Sequence, residues 1–217
     1  MKTFVSVSIF SLPAILISFL PELHEILRFD RAALGQGQLW RLWTGHWVHF
    51  SHSHLGWNLT AMVLAATWLE LIRPNSLLRF AAVAAPLLSL GLLALDANLA
   101  FYGGLSGVGT GVITLLGLIL IKSRPTDRWM GIALLSLVAF KLAHDALTGT
   151  AMLSEFANKD IQTTPLAHAL GSLLAVGYCS KNKLMSSGLR PPRFQQCDLG
   201  SSGGSDPTVA VQIPTDR

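Results

Sequence analysis

The sequence predicts an all-α membrane protein built as a bundle of six transmembrane helices. Of its 217 residues, 51% are hydrophobic and only 13% are charged, and the mean hydropathy of +0.48 is well above that of an ordinary soluble domain. A helix needs roughly 20 apolar residues to cross the hydrocarbon core of a bilayer. Apolar runs close to that length cover residues 4–20, 45–72, 77–97, 104–122, 128–147 and 162–180.

The first run could be read as a signal peptide, because Lys2 supplies a positive charge at its start. Its second half, residues 11–21, has no small-x-small cleavage site, however, and the run ends at Leu20-Pro21-Glu22. We therefore interpret residues 4–20 as a retained span.

The six runs define a membrane domain over residues 1–183, and the remaining residues, 184–217, differ sharply in composition. They are polar and rich in Ser, Gly and Pro, with too few apolar residues to form a core. We expect this segment to be a disordered cytoplasmic tail.

Basic residues set the expected orientation. If six spans alternate, one side of the membrane receives Lys2, Arg73, Arg79, Lys122, Arg124, Arg128, Lys181, Lys183, Arg190 and Arg193. Cytoplasmic loops carry such an excess of Lys and Arg, so both termini are expected in the cytoplasm. The net charge of +4 is thus explained by contact with membrane lipids, and no nucleic-acid partner is expected.

Three spans carry polar side chains that are costly in lipid and are therefore candidates for function: Asn58, Ser106 and His168. At about 1.5 Å per helical residue, they lie about 22, 24 and 20 Å from the first cytoplasmic charge that ends each span. All three spans run from outside to inside. The sequence therefore predicts one polar pocket below the outer surface.

Glycines surround Ser106 in the stretch GGLSGVGTG, residues 103–111. Small residues let membrane helices approach closely, and Gly107 and Gly171 would allow the fourth and sixth spans to touch. The hydroxyl of Ser106 would then reach the imidazole of His168, and a serine needs such a base to become a nucleophile. A serine at this position is also common as a helix cap or packing residue, so the motif alone leaves both interpretations open.

The histidines of the second span allow a different reading, as an interfacial cluster or as zinc ligands; they are His46, His49, His52 and His54. No HEXXH motif and no carboxylate occur within this stretch, so a metalloprotease would lack its general base. We expect neither a metal nor another cofactor. A small metal transporter remains the least favoured alternative.

Four motifs together resemble the rhomboid family of intramembrane serine proteases, in that family's order, over about residues 38–180. They are Trp40-Arg41, HxxxxHxxxN at His49, His54 and Asn58, GxSG at Gly104 to Gly107, and AHxxG at Ala167 to Gly171. The resemblance implies a rhomboid-like bundle with Ser106 as nucleophile and His168 as general base and acid. It also implies an oxyanion hole formed by His54, Asn58 and the backbone N–H groups of Leu105 and Ser106, with His49 in support.

Within that family the chain looks most like the rhombosortase branch, because it is compact and carries the stretch GHWVHFSHSHLGWN. This likeness implies a bacterial inner-membrane enzyme, open to the periplasm, that cleaves C-terminal Gly-Gly sorting tails of exported proteins. More generally, it implies single-span or tail-anchored substrates. The alternative is an inactive rhomboid-like protein that binds client helices.

One feature of the sequence departs from the family pattern, and one cluster in it has no assigned role. Many rhomboids have an aromatic residue four places after the serine, where this chain has Thr110. No carboxylate partner for His168 is evident, so a Ser–His dyad is expected. Lys141, His144 and Asp145 are assigned only to the outer end of the fifth span.

Overall fold

A computed structural model describes residues 2–148 and 164–181 of the chain. The helices are α1 (Lys2–Ser18), α2 (Pro21–Leu27), α3 (Arg31–Gly35), α4 (Arg41–Thr44), a 3₁₀ turn (Gly45–Trp47), α5 (His52–Ile72), α6 (Ser76–Leu95), α7 (Ser106–Ile121), α8 (Pro125–Thr148) and α9 (Pro165–Lys181). Two-residue strands, β1 (Phe29–Asp30) and β2 (Phe101–Tyr102), pair antiparallel with Phe29 opposite Tyr102.

The long helices follow the predicted apolar runs and agree with an all-α membrane protein. By length and composition, α5, α6 and α8 can cross a membrane, and α1 with α2, bent by 119°, would make a fourth span. Helix α7 is apolar but has only 16 residues, so the count of six spans stays a prediction. The predicted tail, residues 184–217, and the first residues of the sixth run lie outside the described residues.

The second predicted run begins too early, because residues 45–51 do not belong to the long helix. The Ser51 hydroxyl accepts a hydrogen bond from the His54 N–H at 3.1 Å and so caps the start of α5. The preceding residues form the 3₁₀ turn and a short loop. His49 therefore lies in the loop and His54 in the helix, although both were predicted on one helix.

Helix α7 lies at the centre of the fold and is buried on nearly every side. Val108, Val112 and Leu115 are fully buried, and α7 packs chiefly against α9, α8 and α5. The closest approach is to α9, where a Cβ atom added to Gly171 would overlap the carbonyl oxygen of Gly107. Absence of side chains at these glycines therefore brings the two backbones into direct contact.

A buried carboxylate organises the connection between α5 and α6. Glu70 is 1% exposed, and its two oxygens accept the backbone N–H groups of Asn75 at 2.9 Å and Leu77 at 2.8 Å. These N–H groups belong to the start of α6, where helical backbone donors have no helical partner. Glu70 therefore ties the end of one long helix to the beginning of the next.

We expect Glu70→Gln to destabilise the protein by roughly 1.5–3 kcal/mol, because hydrogen bonds to charged groups contribute about that much. The amide keeps one acceptor but turns an N–H₂ group toward one of the two backbone donors. Thermal unfolding in detergent measures the loss, with Glu22→Gln on the exposed face of α2 as the control. Equal melting temperatures for the two variants would contradict this role for Glu70.

Candidate active site

Ser106 is the first residue of α7 and follows a sharp backbone turn. Gly104 has φ of +127°, a conformation that residues with a side chain rarely adopt. A Cβ atom there would also lie 2.8 Å from Cε1 of His54. Glycine at position 104 is thus required both by the turn and by the side chain packed against it.

Asn58 and His54 lie one turn apart on α5 and face that turn. His54 is 5% exposed, and its ring lies near enough to His168 for the two to interact electrostatically. The Nδ2 atom of Asn58 lies 3.6 Å from the position a Cβ would take on Gly104, and it is buried with no hydrogen-bond partner among the described residues. An amide donor is therefore held beside the Gly104 turn, two residues before Ser106, with its hydrogen-bonding capacity unused.

His49 supports the backbone just before the serine. Its Nε2 accepts the Leu105 N–H at 3.3 Å, and its Nδ1 lies 3.1 Å from the Trp47 carbonyl oxygen. Since a backbone N–H can only donate, Nε2 carries no proton and Nδ1–H donates to Trp47. The ring is therefore neutral, and the Leu105 N–H is directed to His49.

Tyr102 is a site residue that the sequence did not predict. It is 6% exposed, its hydroxyl donates to the Gly104 carbonyl at 3.1 Å, and the same hydroxyl lies near the Ser106 side chain. Thr110, which stands where an aromatic residue was expected, donates its hydroxyl to the Ser106 carbonyl at 2.8 Å. The aromatic neighbour of Ser106 thus comes from four residues before the serine.

His168 is buried on α9 at the level of the α7 start. A Cβ atom on Gly107 would lie 3.0 Å from the carbonyl oxygen of Ala167, and Gly171 contacts Gly107 directly. Ser106 and His168 are the neighbours of Gly107 and Ala167 in the chain. The glycine contact therefore places the serine and the histidine on touching helical turns.

Asp145 contacts His168, so the expectation that this histidine has no carboxylate partner is wrong. The Oδ2 atom of Asp145 lies 2.7 Å from His168 Nδ1 and 2.9 Å from the ammonium of Lys141. The Asp145 side chain is 0% exposed and that of His168 is 4% exposed. His144 lies at the edge of this group, with Nδ1 3.7 Å from Asp145 Oδ1.

Trp40 and Arg41, the first of the family-like motifs, hold the segment between α1 and α5 together. Arg41 is 6% exposed and donates to the side chain of Gln38 and to the carbonyl oxygens of Glu25 and Arg28, each at 2.8 Å. Trp40 Nε1 donates to the Ile26 carbonyl at 3.1 Å. Both residues stabilise the first loop and not the surroundings of Ser106.

The histidines considered as metal ligands have other partners. His46 is buried, with Nε2 2.9 Å from the Ala85 carbonyl oxygen and 3.1 Å from the Ser89 hydroxyl, and His49 is bonded as described above. Within residues 2–148 and 164–181, no three His, Cys, Asp or Glu side chains are gathered closely enough to hold a metal ion.

Comparison with known proteins agrees with the geometry. The family described as "Rhomboid domain" matches residues 36–182, which include every site residue discussed above. Comparison with curated proteins gave no match. Since the family match covers well over half of the chain, this multi-pass membrane protein belongs to the rhomboid family, whose members are generally intramembrane serine proteases.

Proposed function

We propose that the protein is a serine endopeptidase that cleaves a transmembrane segment of its substrates, with Ser106 as nucleophile and His168 as general base. The observation that carries the proposal is the contact of Gly107 with Ala167 and Gly171. It holds the serine and the histidine on touching turns of α7 and α9. A hydroxyl becomes an effective nucleophile when a positioned base takes its proton.

The reaction follows from these two groups. His168 takes the hydroxyl proton while Ser106 Oγ forms a bond to the substrate carbonyl carbon, and the imidazolium then donates that proton to the leaving amine as the C–N bond breaks. Water, deprotonated in turn by His168, hydrolyses the ester on Ser106. The substrate helix must first unwind locally, because the carbonyl groups of an intact helix are hydrogen-bonded and shielded.

Negative charge on the substrate oxygen is stabilised by an oxyanion hole formed by Asn58, His54 and the backbone N–H groups of Ser106 and Leu105. The unused amide of Asn58 is the strongest support for this assignment. A donor already aimed at the site needs no reorganisation when the charge develops. The Leu105 N–H would exchange His49 for the oxyanion during the reaction.

We expect Asn58→Ala to lower kcat by about 10²- to 10³-fold, which is the usual effect of losing one oxyanion donor. Folding should change little, since Nδ2 has no partner among the described residues. Thr60→Ala is a suitable control, because Thr60 is exposed on the same helix and bonds only to the Gly56 carbonyl in the described structure. Wild-type kcat in the Asn58 variant would remove this residue from the oxyanion hole.

The nucleophile itself is tested with a fluorophosphonate probe, which reacts with activated serines. We expect mass spectrometry of the labelled protein to find the probe on Ser106, and His168→Ala to prevent labelling. An inactive client-binding protein, the alternative function, would retain Ser106 and His168 but show no labelling at either residue.

For the substrate, we propose exported bacterial proteins that end in Gly-Gly, an apolar helix and a basic tail, as for rhombosortases. The enzyme would lie in the inner membrane with both termini in the cytoplasm and its site open to the periplasm, as the positions of the basic residues indicate. A Gly-Gly pair supports this choice chemically, because glycine weakens the helix that must unwind.

Co-expression with a candidate exported protein tests the substrate class. Mass spectrometry should find a new C-terminus at or next to the Gly-Gly pair, and replacing that pair with Leu-Leu should prevent processing. Cleavage of both forms at equal rates would favour a general transmembrane substrate over the sorting tail.

A further inference from the structure

We infer that Asp145 is a positioning residue for His168, so that the site is a Ser–His–Asp triad formed by α7, α9 and α8. The inference rests on the proposed function of Ser106 and His168 and adds a residue to it. The juxtaposition of a fully buried carboxylate with a buried imidazole, joined by a 2.7 Å contact, carries the argument.

Burial of Asp145 needs an explanation, because an ionised side chain within an apolar helix bundle is unfavourable unless it is paired and hydrogen-bonded. Lys141 lies one turn earlier on α8 and pairs with it at 2.9 Å. That pair alone could form at a water-exposed helix surface, yet the carboxylate is directed away from solvent and onto α9. The contact with His168 accounts for this direction.

The contact determines which nitrogen of His168 carries the proton. Beside a lysine ammonium the carboxylate is ionised, and an ionised carboxylate can only accept hydrogen bonds. Nδ1 of His168 must therefore be the donor to Asp145, and its Nε2 keeps the free lone pair. A lone pair on Nε2 is what a base needs to take the proton of a serine hydroxyl.

Lys141 also limits how Asp145 acts. Its ammonium contacts the same Oδ2 atom as His168. The positive charge of Lys141 therefore offsets much of the attraction between the Asp145 carboxylate and an imidazolium at His168. Stabilisation of the imidazolium by charge is thereby reduced, while the direction of the hydrogen bond is kept. Asp145 acts chiefly by holding the orientation and tautomer of the ring.

Asp145→Leu tests the inference, because leucine keeps roughly the size of the side chain but removes the oxygen that accepts the Nδ1–H of His168. Nothing then holds the proton on Nδ1, so the ring can turn or change tautomer and lose the lone pair on Nε2. We expect kcat to fall by about 10²- to 10⁴-fold with little change in KM. Asp127→Asn, on the first turn of the same helix, should leave both constants unchanged.

Asp145→Asn distinguishes positioning from mere structural support. Lys141 and His168 both contact Oδ2, so an amide oxygen at that place still accepts from both groups. We expect kcat of Asp145→Asn to be at least about tenfold higher than that of Asp145→Leu, since the tautomer of His168 is kept. Equal kcat values in the two folded variants would overturn the inference.

A measurement on the wild-type protein covers the case in which Asp145→Leu does not fold. Nuclear magnetic resonance of ¹⁵N-labelled histidine should show His168 protonated at Nδ1 and unprotonated at Nε2 at neutral pH, with the signal absent in His168→Ala. The opposite tautomer would overturn the inference, as would wild-type kcat in a folded Asp145→Leu variant. Failure of the proposed function would instead appear as a wild-type protein that neither cleaves substrate nor labels at Ser106.

Discussion

Replacing Ser106 with alanine should abolish cleavage of a reporter transmembrane segment, with a loss of at least roughly 10⁴-fold in kcat. The reason is that no other group can form the acyl intermediate, so only the weak effects of binding and of the oxyanion donors remain. Ser106 is half-buried, and its side chain lies near the Tyr102 hydroxyl. Removing one half-buried hydroxyl should change stability by only about 0.5–1.5 kcal/mol.

The matched control is Ser123→Ala, just beyond the end of α7 that is opposite to Ser106. Ser123 follows the last helical residue by two positions and donates its hydroxyl to the Ile119 carbonyl at 2.9 Å. Cleavage and melting temperature should both stay close to wild type in this variant. If the Ser106 variant retains more than trace activity in the same assay, the nucleophile is a different amino acid.

The sequence predicts how deep in the membrane Ser106, His168 and Asn58 lie. Each lies a similar number of helical residues from a cytoplasmic charge, and helix geometry converts that number directly into height. Depth alone does not specify which face of a helix a residue occupies. The glycines of α7 and α9 supplied that second constraint, because two helices touch most closely where neither has a side chain.

Asp145 was missed although the same counting would have found it. From Arg128 to Asp145 along α8 is about 26 Å, close to the level of Ser106. The sequence assigned the residue only to the outer end of the fifth span, where a Lys141–Asp145 pair at i and i+4 is also typical of an exposed helix face. What the sequence does not contain is the rotation of α8 about its axis, which is determined by packing against α7 and α9.

Tyr102 was missed for a different reason, since its place depends on contacts between distant segments. It is positioned by the pairing of Phe29 with Tyr102 in the two short strands and by the turn through Gly104. Strands of two residues leave almost no periodic pattern in a sequence. The start of α5 was also misplaced, because Trp47, Val48 and Phe50 extend the apolar run in front of His52.

Replacing Gly171 with alanine should destabilise the protein more than adding a methyl group at any other glycine of the described structure. The added Cβ would overlap the backbone carbonyl of Gly107 and lie 2.9 Å from its carbon atom. Backbone cannot rotate out of the way as a side chain can, so α7 and α9 must separate. Overpacking of this kind typically costs about 1–3 kcal/mol and occasionally more, and we expect the upper end or beyond.

Gly177→Ala on the same helix is the control, because a Cβ there meets nothing within 4 Å. That variant should match wild type in thermal unfolding and in cleavage, and its higher helix propensity should stabilise it slightly. A Gly171→Ala protein with the same melting temperature as Gly177→Ala would mean that α7 and α9 do not touch at Gly107.

Activity of the Gly171 variant should fall further than its stability suggests, because Ser106 and His168 lie on the two turns that are pushed apart. A displacement of about 1 Å between reacting groups can lower the rate 10²-fold even when the fold persists. At temperatures well below its melting point, the folded variant should therefore label with fluorophosphonate at least about 10²-fold more slowly than Gly177→Ala. Slow labelling in a folded protein would separate loss of alignment from loss of structure.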